Sequence, residues 1–193
     1  MNKTPCPVVL VCMKAILIPV VVVISAVLSA TGQTCREVVR DASGRVVQTV
    51  ERQKQSGGVV HTVMRDASGR VIGTATTQTG SGTSTQTRYR DASGRSMGTA
   101  TTSNYGHSNT SQTQYRDASG RVTGTATTTS STTNSQTQFR DASGRTTGTE
   151  TTRHEGSGSA SSVQRDASGR VIGSSSGNAT CIIIPRVPPQ VRK

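Results

Sequence analysis

The sequence predicts an all-β protein made of six strand-turn-strand repeats of about 25 residues, joined as an antiparallel meander. Three observations lead there. The hexapeptide Arg-Asp-Ala-Ser-Gly-Arg starts at Arg40, Arg65, Arg90, Arg116, Arg140 and Arg165, at intervals of 25, 25, 26, 24 and 25 residues. A period of that size marks a repeat architecture built from one supersecondary unit. Each copy has Asp at the first and Gly at the fourth position of a turn, which is the type I preference. The segments between copies are rich in Thr, whose β-branch suits a pleated surface.

The chain begins with residues 1–12, an extension upstream of a more natural start at Met13-Lys14. Residues 13–32 read as a secretory signal peptide. Lys14 precedes an apolar run from Ala15 to Leu28, broken only by Pro19 and Ser25, and the small residues Ser29, Ala30 and Gly32 follow. That is the charged, apolar, small-residue order of an export signal. The run falls short of the roughly 20 apolar residues of a spanning helix, so the mature form is expected to carry no transmembrane span.

Residues 33–173 form the repeat array. The turn-forming pairs are Asp41 with Gly44, Asp66 with Gly69, Asp91 with Gly94, Asp117 with Gly120, Asp141 with Gly144 and Asp166 with Gly169. A three-residue hairpin loop with a glycine bulge needs this chemistry. With Ala-Ser-Gly as the loop, Asp117 faces Arg121 as an opposite-charge pair. Two steps further out, on the same face, the expected pairs are Val39–Val47, Met64–Ile72, Tyr89–Met97, Tyr115–Thr123, Phe139–Thr147 and Gln164–Ile172, an apolar strip near the turns. Looser turns rich in Ser, Thr, Gly and Asn lie midway between the tight ones.

Residues 174–193 are read as a last strand around Cys181-Ile-Ile-Ile184 and a basic, Pro-rich tail. Cys35 and Cys181 flank the array, 146 residues apart, and an isolated pair in an exported chain is a candidate disulfide. In a solenoid with one coil per repeat they would stand roughly 24–29 Å apart, at about 4.8 Å per strand. A disulfide needs Cα atoms within about 7 Å. The sheet is open, curled or closed, with a solenoid as the alternative. Small strand residues leave little to fill a barrel of a dozen strands, which favours an open array; a Cys35–Cys181 bond would demand closure.

Composition narrows the function classes. Apolar residues make up 31% and aromatics 2% of the chain, against about 45–50% apolar for ordinary globular proteins. Net charge is +12. Each hexapeptide contributes two Arg and one Asp, so the six copies supply +6. The second Arg of each copy, at Arg45, Arg70, Arg95, Arg121, Arg145 and Arg170, forms a periodic stripe suited to an anionic polymer such as lipopolysaccharide or an acidic polysaccharide. Nucleic acid is disfavoured, since export removes the protein from it and few aromatics exist for base stacking. His61, His107 and His154 occupy no common repeat position and read as loop residues, without metal-ligand spacing. No cofactor motif and no catalytic constellation is present, which points away from an enzyme.

The segment Tyr115-Arg-Asp117-Ala-Ser-Gly120-Arg121-Val122 resembles the YD repeat of bacterial Rhs and wall-associated proteins. Here an Arg separates the aromatic residue from the Asp, and the repeats are longer and richer in Thr. The resemblance implies a spiral of β-hairpins outside the cell or enclosing a toxin, and no toxin-like C-terminal domain follows the repeats here. The strand-turn period with Gln and Asn is also similar to curli-type fibre subunits. The expectation is an exported, non-enzymatic component of the periplasm, cell surface or matrix. Polyanion binding and self-assembly into a fibre are the alternatives.

Overall fold

The computed structural model describes residues 34–80, 82–105, 109–156 and 158–179. The extension at 1–12, the signal segment at 13–32, His107 and the run beginning at Cys181 lie outside the described residues. Twelve strands follow one another: β1 (Thr34–Asp41), β2 (Val46–Lys54), β3 (Val60–Asp66), β4 (Val71–Thr79), β5 (Ser84–Asp91), β6 (Ser96–Asn104), β7 (Thr110–Asp117), β8 (Val122–Ser130), β9 (Asn134–Asp141), β10 (Thr146–His154), β11 (Ser159–Asp166) and β12 (Val171–Asn178). Because β12 runs to Asn178, the sheet extends past the boundary expected at residue 173. His61 lies within β3 and His154 ends β10, so these two are strand residues rather than loop residues.

Each strand pairs antiparallel with its sequence neighbours, and β1 pairs with β12 from Glu37↔Gly177 to Asp41↔Gly173. The sheet is a closed up-and-down barrel, not an open array or a solenoid. Closure pairs both edges that a meander would otherwise expose to strand addition.

The six hexapeptides close the hairpins β1–β2, β3–β4, β5–β6, β7–β8, β9–β10 and β11–β12, so all six tips lie at one end of the barrel. In each, the Gly N–H donates to the Asp carbonyl and the Asp N–H donates to the carbonyl of the second Arg. Gly120 sits at φ 83, the left-handed value this bulged turn requires. The Asp117 carboxylate accepts from the backbone N–H groups of Ser119 and Arg121, both at 2.9 Å. The Asp side chain thus binds its own turn instead of forming the expected ion pair with the Arg guanidinium.

The expected register beyond the tips is one residue off. A β-bulge inserts Val47, Ile72, Met97, Thr123, Thr147 or Ile172 as an extra residue, and the pairs become Val39↔Gln48, Met64↔Gly73, Tyr89↔Gly98, Tyr115↔Gly124, Phe139↔Gly148 and Gln164↔Gly173. The residue before the turn points into the barrel; Val47, Ile72, Met97 and Ile172 point out and are exposed. A one-residue slip moves a side chain to the other face, and the bulge does this on the second strand of every hairpin.

That shift fills the lumen. Tyr115 lies between Gly124 on one side and Ala100 on the other; Tyr89 lies between Gly98 and Ala75, and Phe139 between Gly148 and Ala126. These aromatics and alanines form one buried cluster. Lower in the lumen the threonines pair across strands, as in Thr77···Thr87 and Thr102···Thr113 at 2.8 Å. The outer face is polar along β5 and β7, with Gln86, Arg88, Arg90, Gln112 and Arg116 exposed. A barrel crossing a bilayer would carry an outward apolar band there. No helix among the described residues is long and apolar enough to cross a membrane.

The junctions between hairpins are tight. A Cβ on Gly124 would stand 2.4 Å from the Arg140 carbonyl oxygen on β9. Gly124→Ala is therefore expected to lower stability by about 1–3 kcal/mol, the usual cost of overpacking. Ser119→Ala leaves the backbone N–H that Asp117 accepts and should stay within about 0.5 kcal/mol. Denaturant melts of the two variants check this; equal losses would overturn the junction assignment.

Candidate functional site

Two groups of polar residues stand out, one on the rim formed by the tips and one inside the lumen. On the rim the two arginines of each hexapeptide differ in their work. The first is tied down: Nη1 of Arg40, Arg65, Arg90, Arg116, Arg140 and Arg165 donates to the carbonyl of the tip Gly, at 2.8–3.1 Å. Nη2 of Arg116 and Arg140 also donates to Gln114 and Gln138. The second arginine serves the turn only through its backbone N–H and C=O. The guanidinium groups of Arg45, Arg70, Arg95, Arg121, Arg145 and Arg170 are exposed and form no hydrogen bond or ion pair with the described residues.

Successive tips are separated by two strand spacings, about 10 Å. That is close to the Debye length of about 8 Å at physiological ionic strength, so the fields of adjacent tips overlap in part. Each Asp carboxylate offsets part of this field, since the second Arg of its tip acts on it electrostatically, and two Arg against one Asp leave each tip with a net positive charge. Asp41 is held below its ordinary value of 3.8 by the Ser43 hydroxyl first, then by the Arg45 backbone N–H. Asp66, Asp91 and Asp166 are lowered by the matching Ser hydroxyl first, and Asp141 by the Arg145 backbone N–H.

The cluster of aromatics and alanines in the lumen lies between β4 and β9, and the part lined by β1 and β2 holds a buried charge pair. There Glu37 and Arg52 form a salt bridge at 2.9 Å, with 1% and 6% exposure. Arg52 pairs across the sheet with Thr62, and the Arg52 Nε and Thr62 Oγ1 are buried without a partner among the described residues. Glu150 takes the slot that Ala holds on β4, β6 and β8, opposite Gln164, which takes the aromatic slot. Aligning the copies marks both: Glu37 stands where the others carry Thr or Ser, as at Thr113, and Arg52 where four others carry Thr, as at Thr128. Glu150 could have been found as the one acidic residue replacing Ala in Gly-Thr-Ala-Thr-Thr. The recurring Gly three residues after the second Arg, from Gly73 to Gly173, was likewise a readable sign of a tight junction. Cys35 is disulfide-bonded, and it and Ala179 both pack against Ala160 on β11; Cys181 lies outside the described residues.

Burial pushes the Tyr89 phenol well above the ordinary 10.0, with the Arg52 charge opposing. Burial raises Tyr115 as well, reinforced by Tyr89 and Glu150. The two sets give opposite signs with pH. The lowered Asp groups contribute stability above the unfolded value near 3.8, and it is lost as pH falls through their folded values. The raised tyrosines contribute stability in full below 10, and it is lost as pH rises beyond that. Thermal melts across pH should therefore hold a plateau between about 4 and 10 and fall on both sides. A plateau continuing well past pH 10 would place the tyrosines in water.

No family model matches this chain, and no curated protein does. Among solved structures, the chain is similar to a candidate exported protein with a YmcC-like fold from Bacteroides fragilis, at TM-score 0.45 and 9% identity, over 76% of this chain and 93% of that one.

Proposed function

We propose that this chain is an exported, non-enzymatic barrel that binds anionic polymers through its arginine rim. We read the barrel as six copies of one hairpin unit, each delivering one exposed guanidinium to the same end. The observation that carries the reading is that all six of these guanidinium groups are exposed and uncommitted while their backbones hold the turns. Lipopolysaccharide and acidic polysaccharides present the phosphate or carboxylate arrays that such a ring would meet. A disulfide-bonded Cys35 is in keeping with an oxidising compartment, hence with the periplasm or cell surface. A fibre assembled by strand addition is less well served, because closure leaves no free edge.

Binding to dextran sulfate or lipopolysaccharide should weaken steeply between low and physiological salt. Replacing Arg45, Arg70, Arg95, Arg121, Arg145 and Arg170 by Gln takes the net charge from +12 to +6. It should reduce affinity at least about tenfold, the effect of some 1.4 kcal/mol, with unchanged circular dichroism. A folded six-fold variant that binds as tightly as the parent would end the proposal.

Within the same reading, the partner of Cys35 is Cys181. Ala179, two residues before it, packs against the same Ala160 as Cys35. Non-reducing peptide mapping should return a Cys35–Cys181 peptide, and reduction should lower stability by about 2–4 kcal/mol. Linkage of Cys35 to Cys6 or Cys12 would instead mean that the N-terminal segment stays attached to the barrel.

A further inference from the structure

The rim carries apolar side chains beside its charges, and they are confined to one side of it. Val47, Ile72, Met97, Val171 and Ile172 are 36–43% exposed. Four of them are the bulge residues, lying two positions beyond the second Arg of a tip and pointing outward. The remaining bulge residues, Thr123 on β8 and Thr147 on β10, are polar and half-buried. In barrel order the apolar set runs through β12, β1, β2, β3, β4, β5 and β6, about half of the circumference. The register continues it into the tips. Gly73 pairs with Asp91 and Gly98 with Asp117, so the next step sets Ile72 beside Ala92 and Met97 beside Ala118, both alanines exposed.

We infer that this half of the rim docks on an anionic lipid membrane, with the tip arginines on the headgroups and Ile72, Met97 and Ile172 entering the acyl boundary. Apolar side chains in the interface and cations on the headgroups are the two elements of surface membrane binding, and each supplements the other. A soluble polysaccharide offers the charge but no apolar phase, so it leaves Ile72 and Met97 in water. The charge complementarity and the sidedness of the apolar set together select the bilayer. The barrel lies on the membrane by its rim, while the polar outer faces of β5 and β7 stay in water. The inference rests on the rim reading above and adds the identity of the surface.

The chain has no Trp, so a single introduced indole reports its own surroundings, whatever the N-terminal apolar run does. Met97→Trp and Ile72→Trp probe the apolar half, and Thr147→Trp probes the other. With phosphatidylglycerol vesicles the first two should shift their emission to the blue and be quenched by brominated lipid. Thr147→Trp should be changed much less, and phosphatidylcholine vesicles should leave all three unchanged. Dextran sulfate, measured on the same samples, separates the two readings. Salt-dependent binding to dextran sulfate without a lipid signal at Met97 or Ile72 would retain the rim and reject the membrane. Equal signals at all three positions would reject the sidedness, and binding to neither partner would reject both.

Discussion

The barrel depends on one steric constraint: each buried aromatic side chain in the lumen is set between two small residues. Twelve strands enclose more space than Thr, Ala and Gly can fill by themselves. Tyr89, Tyr115 and Phe139 enter from odd-numbered strands, each with Gly on its own hairpin partner and Ala on the neighbouring hairpin. Only this alternation lets a chain with 2% aromatic residues bury a continuous cluster, and each buried aromatic carries a large share of the apolar area. The glycines answer a second requirement as well. Without a Cβ, Gly124 lets the Arg140 carbonyl approach to where a side chain would stand. Removing the small residue therefore harms both the aromatic seat and the sheet.

The part of the lumen lined by β1 and β2 follows another rule. Glu37 and Arg52 are almost wholly buried, and such a pair yields little net stability over an apolar substitute. Losing one member is different, because the survivor is left charged in a dry interior, at a cost of about 3–5 kcal/mol. The pair lies on β1 and β2, next to the seam where β12 closes the barrel. Glu37 itself pairs with Gly177 across that seam. A buried charge with one geometric solution helps to hold β1 in a single register, beside a β12 built mostly of Ser and Gly.

The parts of this structure legible in the sequence are the local ones. The turn at Asp117–Gly120 is written in residue types, because Asp binds N–H groups two and four residues on and Gly accepts positive φ. Strand content follows from the Thr-rich segments. The register does not, because the bulge at Met97 leaves no mark in residue type; a large apolar residue there fits either face. The closure of β1 on β12 lies further out of reach, since it joins residues about as far apart as the chain allows. Small strand residues argued for an open sheet only while the aromatics were paired with Met97 and Thr123 instead of Gly98 and Gly124. Moving the register by one residue turns a shortage of filling into a fitted lumen. The arginine stripe was visible as a period, but its division into tied and free guanidinium groups depends on the tip carbonyl geometry.

That division bears on why the rim is basic. The six copies can be compared within one chain. The residue after the second Arg varies among Val, Ser and Thr, and the bulge residue among Val, Ile, Met and Thr. The copies have therefore diverged where packing permits. The first Arg has a structural duty, since its Nη1 meets the tip carbonyl in every hairpin. The second has none that its side chain performs: the turn uses only its N–H and C=O, which almost any residue supplies. Solubility asks only for charge somewhere on the surface, and Lys or Glu at scattered positions would provide it. Six free arginines at one end, spaced about two strands apart, place the same delocalised cation where phosphate or carboxylate groups can be met several at a time. The turn takes only the backbone of that residue, so the barrel's hydrogen bonds do not account for an Arg side chain there in all six copies.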